Sequence, residues 1–204
     1  AVTGTAAIHK ASVISALCER QSKMALIIAA DEPEAQRLKD DLTAMGLSSL
    51  VYPARDFNFR DTTGASHEYE RERLQVLSLA MEKKIDCVIA CADAAVQFTL
   101  PPQSLRERTL TLRQGQVIEL EEISRILTAC GYERAEQTEG TGQFSLRGGI
   151  IDFYSPSAPA PVRIEFWGDE IDTISYYDIE TQRRTDPAES VTITPSVEVF
   201  AENK

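Results

Sequence analysis

The sequence predicts two architectures in succession: an α/β domain with a parallel sheet and a degenerate P-loop NTPase-like start, then a small α+β domain. Three observations carry that prediction. The opening residues AVTGTAAIHK have the outline of a phosphate-binding loop with its working parts replaced. The first half alternates short apolar runs with helical spacing, as parallel α/β units do. After one further helix, the second half reads as successive hairpin strands punctuated by Gly, Pro and Asp. The change of character lies near residues 105–110 and divides the chain into 1–108 and 109–204.

The loop comes first. A working phosphate loop, G-x-x-x-x-G-K-[ST], uses glycines to bring backbone amides onto phosphates, lysine to reach the outer phosphates and a hydroxyl to hold magnesium. With Thr3-Gly4-Thr5 laid on the T-G-[ST] of helicase-type loops, the second glycine falls on Ala6, the lysine on Ala7 and the hydroxyl on Ile8. Ala6 lacks the freedom of glycine, Ala7 brings no charge and Ile8 no oxygen. Lys10 comes too late and projects elsewhere on the following helix. On these residues alone, the favoured reading is that Gly4 marks a simple turn before an amphipathic helix.

Met24–Ala30 (MALIIAA) is a continuous apolar run, expected of a strand buried on both faces. Asp31 then caps a helix with Pro33 and Glu34 in its first turn and Gly46 past its end. Leu50–Tyr52 is the next strand. An irregular loop runs from Pro53 to about His67, a helix follows over Glu68–Lys83, and Asp86–Cys91 supplies another buried strand. Leu100-Pro101-Pro102 breaks this rhythm. Leu120–Cys130 is then a helix closed by Gly131.

The strands beyond it are the most informative. In Val162–Trp167, Val162, Ile164 and Phe166 point to one face and Arg163, Glu165 and Trp167 to the other. Gly168-Asp169 makes a turn, and Ile171 and Ile174 resume the apolar positions. Phe144 and Leu146 are core candidates in the preceding strand, leaving Gln143, Ser145 and Arg147 opposite them before Gly148-Gly149 bends the chain. If the strands are neighbours, Arg147, Arg163 and Trp167 share a surface. Two readings of that surface stand side by side: a surface salt-bridge pair beside a partly buried tryptophan, or a protein-docking face built from residue types enriched at interface hot spots.

Composition excludes other classes. The chain carries a formal charge of −11, divided as −2 over residues 1–109 and −9 over residues 110–204. Such a surface repels a polyphosphate, so the chain by itself is not expected to bind DNA. No apolar run approaches a membrane span and no signal peptide is visible, so no membrane partner and a cytoplasmic location are expected. Cys18, Cys87, Cys91 and Cys130 lack paired spacing and read as buried free thiols. His9 and His67 have no local link to them, and no metal or cofactor is expected.

Taken in order across nearly all of the chain, VTGTAA, DEPEAQRLKDDL, VYPARDFNFRD, HEYERERLQVLSLA, LPP, GQFSLRGGIIDFY, VRIEFWGDEID and YYDIETQRR resemble a known family. The chain is similar to the amino-terminal region of the bacterial transcription-repair coupling factors, the part homologous to the repair protein UvrB. The resemblance implies an α/β domain without ATPase activity joined to an α+β domain of the UvrB type that binds UvrA. In the family that contact depends on an arginine and on an arginine–aromatic pair, which fall on Arg147, Arg163 and Trp167. The docking reading of the face follows from this resemblance. Trp167 stands where phenylalanine is common, and Ser175 where arginine often sits.

The implied function is a non-catalytic adaptor that recruits UvrA to stalled transcription complexes. The alternative is a fragment of a UvrB-type ATP-dependent DNA repair enzyme, against which stand Ala6-Ala7-Ile8 and a 53–67 loop too short for a DNA-gripping hairpin. An intramolecular brake, in which a carboxyl-terminal domain of a longer protein covers the UvrA face, is a third reading. The family's RNA polymerase-binding module and ATP-dependent DNA translocase motor have no counterpart here, so the chain reads as an excised part. Polymerase and DNA would be reached only through parts outside it.

Overall fold

The computed structural model describes residues 7–55 and 68–198. Gly4, Thr5 and Ala6 of the predicted loop, and residues 56–67 of the irregular loop with His67 among them, lie outside the described residues. The chain divides into two compact units, Ala1–Phe98 and Thr99–Lys204. The division falls about ten residues before the one expected at 108/109. Residues 99–108 group with the second unit through local ties: the Cys130 thiol donates to the Arg108 carbonyl at 3.3 Å, and the Thr99 hydroxyl to Glu198 at 3.4 Å.

The first unit starts with α1 (Ala7–Gln21), followed by β1 (Ala25–Ala29), α2 (Glu32–Ala44), β2 (Ser49–Tyr52), α3 (Glu68–Met81), β3 (Cys87–Cys91) and the short α4 (Ala92–Ala95). The strands form a parallel sheet in the order β1-β3-β2. Alternation of strand and helix dictates this arrangement, because parallel neighbours need a long crossover between them. Asp31 caps α2 by accepting the Glu34 amide at 2.8 Å, and Gly46 ends that helix at a φ of +85°, where side chains are unfavourable.

One face of the sheet packs Cys87, Ile89 and Ala29 against Ala11 and Cys18 of α1 and Ala35, Leu38 and Leu42 of α2. The other buries Tyr52 and Ala90 with Val76 of α3 and Ala94 of α4, a cluster that takes in no residue of β1. Here the expectation of a strand buried on both faces is corrected: Leu26 is 67% and Ile28 54% exposed. The apolar run is continuous, but β1 is an edge strand, and among the described residues a helix layer lies over only one of its faces. The central strand β3 does have buried residues on both faces.

The second unit holds α5 (Pro102–Glu107), β4 (Leu110–Arg113), α6 (Leu120–Ala129), β5 (Glu133–Arg134), β6 (Gln143–Arg147), β7 (Ile150–Phe153), β8 (Val162–Trp167), β9 (Glu170–Tyr177), β10 (Arg184–Pro187) and β11 (Ser190–Ile193). Six strands make a sheet ordered β10-β9-β8-β7-β6-β5, and β11 pairs with β4 in a separate antiparallel ribbon. Strands β6 to β10 run as an antiparallel meander. Phe144, Ile151, Phe153, Val162, Ile164 and Ile174 project from one face onto Ile123 and Leu127 of α6 and onto Leu112, Val191 and Ile193 of the ribbon. Phe166 is only half buried at the edge of this core, unlike Phe144 and Phe153, because it sits next to the turn that ends β8.

The register contains one interruption. Glu165 pairs with Thr173 but Phe166 pairs with Ile171, so Asp172 is an extra residue in β9. This bulge lets Ile171 and Ile174, an odd three residues apart, both reach the core.

Candidate docking face

The opposite face of the six-stranded sheet carries the residues singled out from the sequence. Hairpin pairings place Ser145 beside Asp152, Asp152 beside Arg163 and Arg163 beside Ser175. Side chains directly opposite one another in antiparallel strands share a face. A row of polar groups therefore crosses four strands, back to back with the apolar row of Phe153 and Val162.

Asp152 is the centre of that row. Its carboxylate is 1% exposed and is held by two arginines. Arg163 binds it with two bonds, Nε to Oδ1 at 2.7 Å and Nη2 to Oδ2 at 2.8 Å, and Arg147 adds Nη2 to Oδ2 at 2.9 Å. A two-bonded guanidinium–carboxylate pair fixes orientation as well as charge. The Arg163 guanidinium also lies 4.7 Å from the centre of the Tyr177 ring and donates to the Gln182 carbonyl at 3.3 Å. Its hydrogen bonds to Asp152 raise its pKa further above the ordinary arginine value.

The surroundings of this ion cluster are closed. Thr138, Ser145, Ser175 and Tyr177 are all buried on this face. Thr138 Oγ1 donates to Ser145 Oγ at 3.3 Å and to the Asp152 carbonyl at 3.2 Å, tying the segment before β6 over the sheet. Burial, followed by the Asp152 charge, pushes the Tyr177 phenol up to about 12. Its hydroxyl is buried without a hydrogen-bond partner among the described residues. The face read from the sequence as outward is thus, at its middle, a second and polar core.

The three predicted residues occupy different places in it. Arg163, the second residue of β8, is 13% exposed and belongs to the closed cluster. Arg147, the last residue of β6, touches the same carboxylate but leaves half of its side chain in solvent. Trp167, the last residue of β8, is 83% exposed and takes no part in the ion cluster. Arg147 and Trp167 close two-residue turns, Gly148-Gly149 and Gly168-Asp169, at the same end of the meander. Gly148 and Gly168 adopt φ of +58° and +62°, the left-handed values that the first position of such a turn requires.

Asp152, Tyr177 and Gln182 are neighbours of Arg163 that the sequence pattern does not single out. For Asp152 a signal exists: in Ile150–Phe153 the carboxylate alternates with Ile151 and Phe153, which places it on the same face as the arginines. Tyr177 and Gln182 join through the curl of β9 into β10, which no short-range pattern announces. Ser175, buried directly opposite Arg163, sits where a second guanidinium would crowd the first.

In the first unit, Ala7 and Ile8 are the first residues of α1. Lys10 pairs with Glu34 at 2.5 Å, and the other Glu34 oxygen accepts the Ala30 amide at 2.8 Å. The Lys10 hydrogen bond, then that amide, hold the Glu34 carboxyl below its ordinary pKa. The amino-terminal turn of α2, at the carboxyl edge of the parallel strands, therefore carries Asp31, Glu32 and Glu34. Cys18, Cys87 and Cys130 are buried free thiols and Cys91 is half buried. Among the described residues no cluster of His, Cys, Asp or Glu could hold a metal, and no helix is long and apolar enough to cross a membrane.

Comparison with known proteins covers both units. Residues 110–198 match the UvrB interaction domain family. The transcription-repair-coupling factor of Bacillus subtilis is 32% identical over 189 residues, 91% of this chain and 16% of that protein. Those of Staphylococcus haemolyticus and Staphylococcus aureus are 33% and 30% identical over 95% of the chain and 17% of each relative. The chain spans about a sixth of the length of these relatives.

Proposed function

We propose that the chain, which matches the UvrB interaction domain family over residues 110–198 and resembles the transcription-repair-coupling factors along nearly its whole length, belongs to the UvrB-homology region of those factors and is a non-catalytic adaptor that recruits UvrA to stalled transcription complexes. One observation carries the reading: within the domain matching the UvrB interaction family, Arg147 and Trp167 present a guanidinium and an indole to solvent at one end of the sheet. Arg163 serves this face from behind. It fixes the carboxylate on which Arg147 rests, which leaves the remaining Arg147 donors for an acidic group of UvrA. Recruitment then works by effective concentration, since a docking face held at the stalled polymerase raises the local amount of UvrA. Polymerase and DNA contacts belong to other parts of the longer protein.

The first unit, in this reading, keeps a P-loop-like outline without the chemistry. Support comes from the residues in the loop positions, Gly4, Thr5, Ala6, Ala7 and Ile8, and from the carboxylates at the α2 terminus, which oppose a phosphate. Titration with a fluorescent ATP analogue and magnesium is expected to be flat. Saturable, magnesium-dependent binding at cellular ATP levels would instead favour a UvrB-type enzyme.

The adaptor reading is tested by capture of purified UvrA on the immobilised chain, compared with the Trp167→Ala and Arg147→Ala variants. UvrA is expected to bind the unaltered chain and to bind both variants more weakly, with the melting temperature unchanged for Trp167→Ala and slightly lowered for Arg147→Ala. Equal binding by all three removes the proposed face.

A further inference from the structure

We infer that Val117 is a second apolar contact of the same docking face, standing across Glu170 from Trp167, and that the partner surface there is an apolar ridge rimmed by basic side chains. The inference rests on the UvrA-docking reading and extends it to a segment outside the hairpins. Among the described residues of the second unit, Trp167 and Val117 are the two large apolar side chains left exposed, at 83% and 74%. Both are paired with one residue: Trp167 faces Glu170 across the β8–β9 hairpin, and Val117 faces Glu170 through an isolated antiparallel bridge. A lone exposed valine needs no explanation. Two apolar groups flanking one carboxylate form a patch.

The pairings fix the direction of the side chains. Antiparallel partners project to the same face, so Trp167, Glu170 and Val117 stand in a row across three strands. Phe166 and Ile118, the chain neighbours of Trp167 and Val117, turn the other way and pack on the core. Val117 is also held firmly. The Gly115 amide donates to the Ile171 carbonyl at 2.8 Å, the Ile171 amide to the Gln116 carbonyl at 2.9 Å, and the Ile118 amide to the Asp169 carbonyl at 2.8 Å. The segment behaves as an added strand, and such a row places the two apolar groups about 10 Å apart, well inside one protein–protein footprint.

Charge decides the partner's rim. Glu170 lies between the two apolar groups, Asp169 and Asp172 flank it in the chain, and residues 110–204 carry −9. A partner with acidic groups here would be repelled, whereas Lys or Arg around an apolar ridge would be drawn in. Arg147, about two strands away from Trp167, marks where the rim changes sign.

The test measures affinity of the full chain for purified UvrA with Val117→Asp, Val117→Thr, Glu170→Lys and Trp167→Ala, each with a melting curve. Val117→Asp is expected to weaken binding tenfold or more and Val117→Thr, which keeps the β-branched shape, about threefold, with melting unchanged. Glu170→Lys is expected to weaken binding and reduce its dependence on salt. If Trp167→Ala weakens binding while both Val117 variants bind normally, the valine contact is wrong and the docking face stands. Tighter binding by Glu170→Lys overturns the basic rim. If neither Trp167→Ala nor any Val117 variant changes affinity, the docking reading itself is overturned.

Discussion

Arg163 and Trp167 leave the same strand on the same side of the same sheet, four residues apart, yet one is enclosed and the other stands in water. Around Arg163 the strand has neighbours on both sides, and Asp152, Tyr177 and Gln182 close over the guanidinium. At Trp167 the strand is about to turn, and the indole stays 83% exposed. The contrast separates two jobs that residue type alone merges. A side chain in the middle of the face holds the surface in shape, and one at its end is available to touch something else.

The largest expected effect comes from opening the enclosed end of this contrast. Arg163→Ala leaves the Asp152 carboxylate buried with Arg147 as its remaining charged partner, which is expected to cost about 3 kcal/mol of folding stability. Chemical denaturation of the variant measures it, and loss of UvrA binding without loss of stability would erase the distinction drawn here. Trp167→Ala should do the reverse, losing about 2 kcal/mol of UvrA affinity with an unchanged unfolding midpoint.

Arg147 belongs to both regions and should show both effects in reduced form. With half of its side chain in solvent, Arg147→Ala is expected to cost under about 1 kcal/mol in stability. Its affinity loss should shrink as salt is raised. Parallel denaturation and binding series at two ionic strengths resolve the two contributions.

The smallest effect tests how closed the middle of the face is. The Tyr177 hydroxyl has no hydrogen-bond partner among the described residues, so Tyr177→Phe should change stability at pH 7 by less than about 0.5 kcal/mol. At high pH the variants diverge. The folded phenol titrates at about 12, above an ordinary value of 10.0, so the unfolded chain loses this proton first and stability falls between those values. Tyr177→Phe is expected to flatten that part of the decline, and identical pH profiles would mean that water reaches the ring.

Much of this is legible in the sequence because one face of each strand has to be dry. Alternation in 143–147 and 162–167 is enough to put Arg147, Arg163 and Trp167 on one side of the sheet, and the Asp31 cap and Gly46 stop bound α2 correctly. Alternation states which side a residue takes, not what covers that side, so it leaves the closed polar core around Asp152 hidden. The same limit makes β1 read as doubly buried, since an apolar run looks alike whether or not a second helix layer lies over it. Phe166 reads as a buried core aromatic and is half buried, because the pattern does not register how near the strand's end it lies. Val117 sits in the polar stretch RQGQVIEL, and its meaning comes from a bridge to a residue 53 positions away.

The extra residue at Asp172 has a consequence for the docking end. Point substitutions at the exposed Trp167, Asp169, Glu170 and Asp172 change the chemistry of the tip, whereas Gly168 and Ile171 are held by the turn and the core. Loss of Asp172 would instead leave Ile171 and Ile174 two residues apart, as an unbulged strand requires, so both would still face the core while the kink and extra twist behind the hairpin tip would be lost. A one-residue change of length here should therefore re-aim the tip that carries Trp167 and Glu170 rather than expose the core.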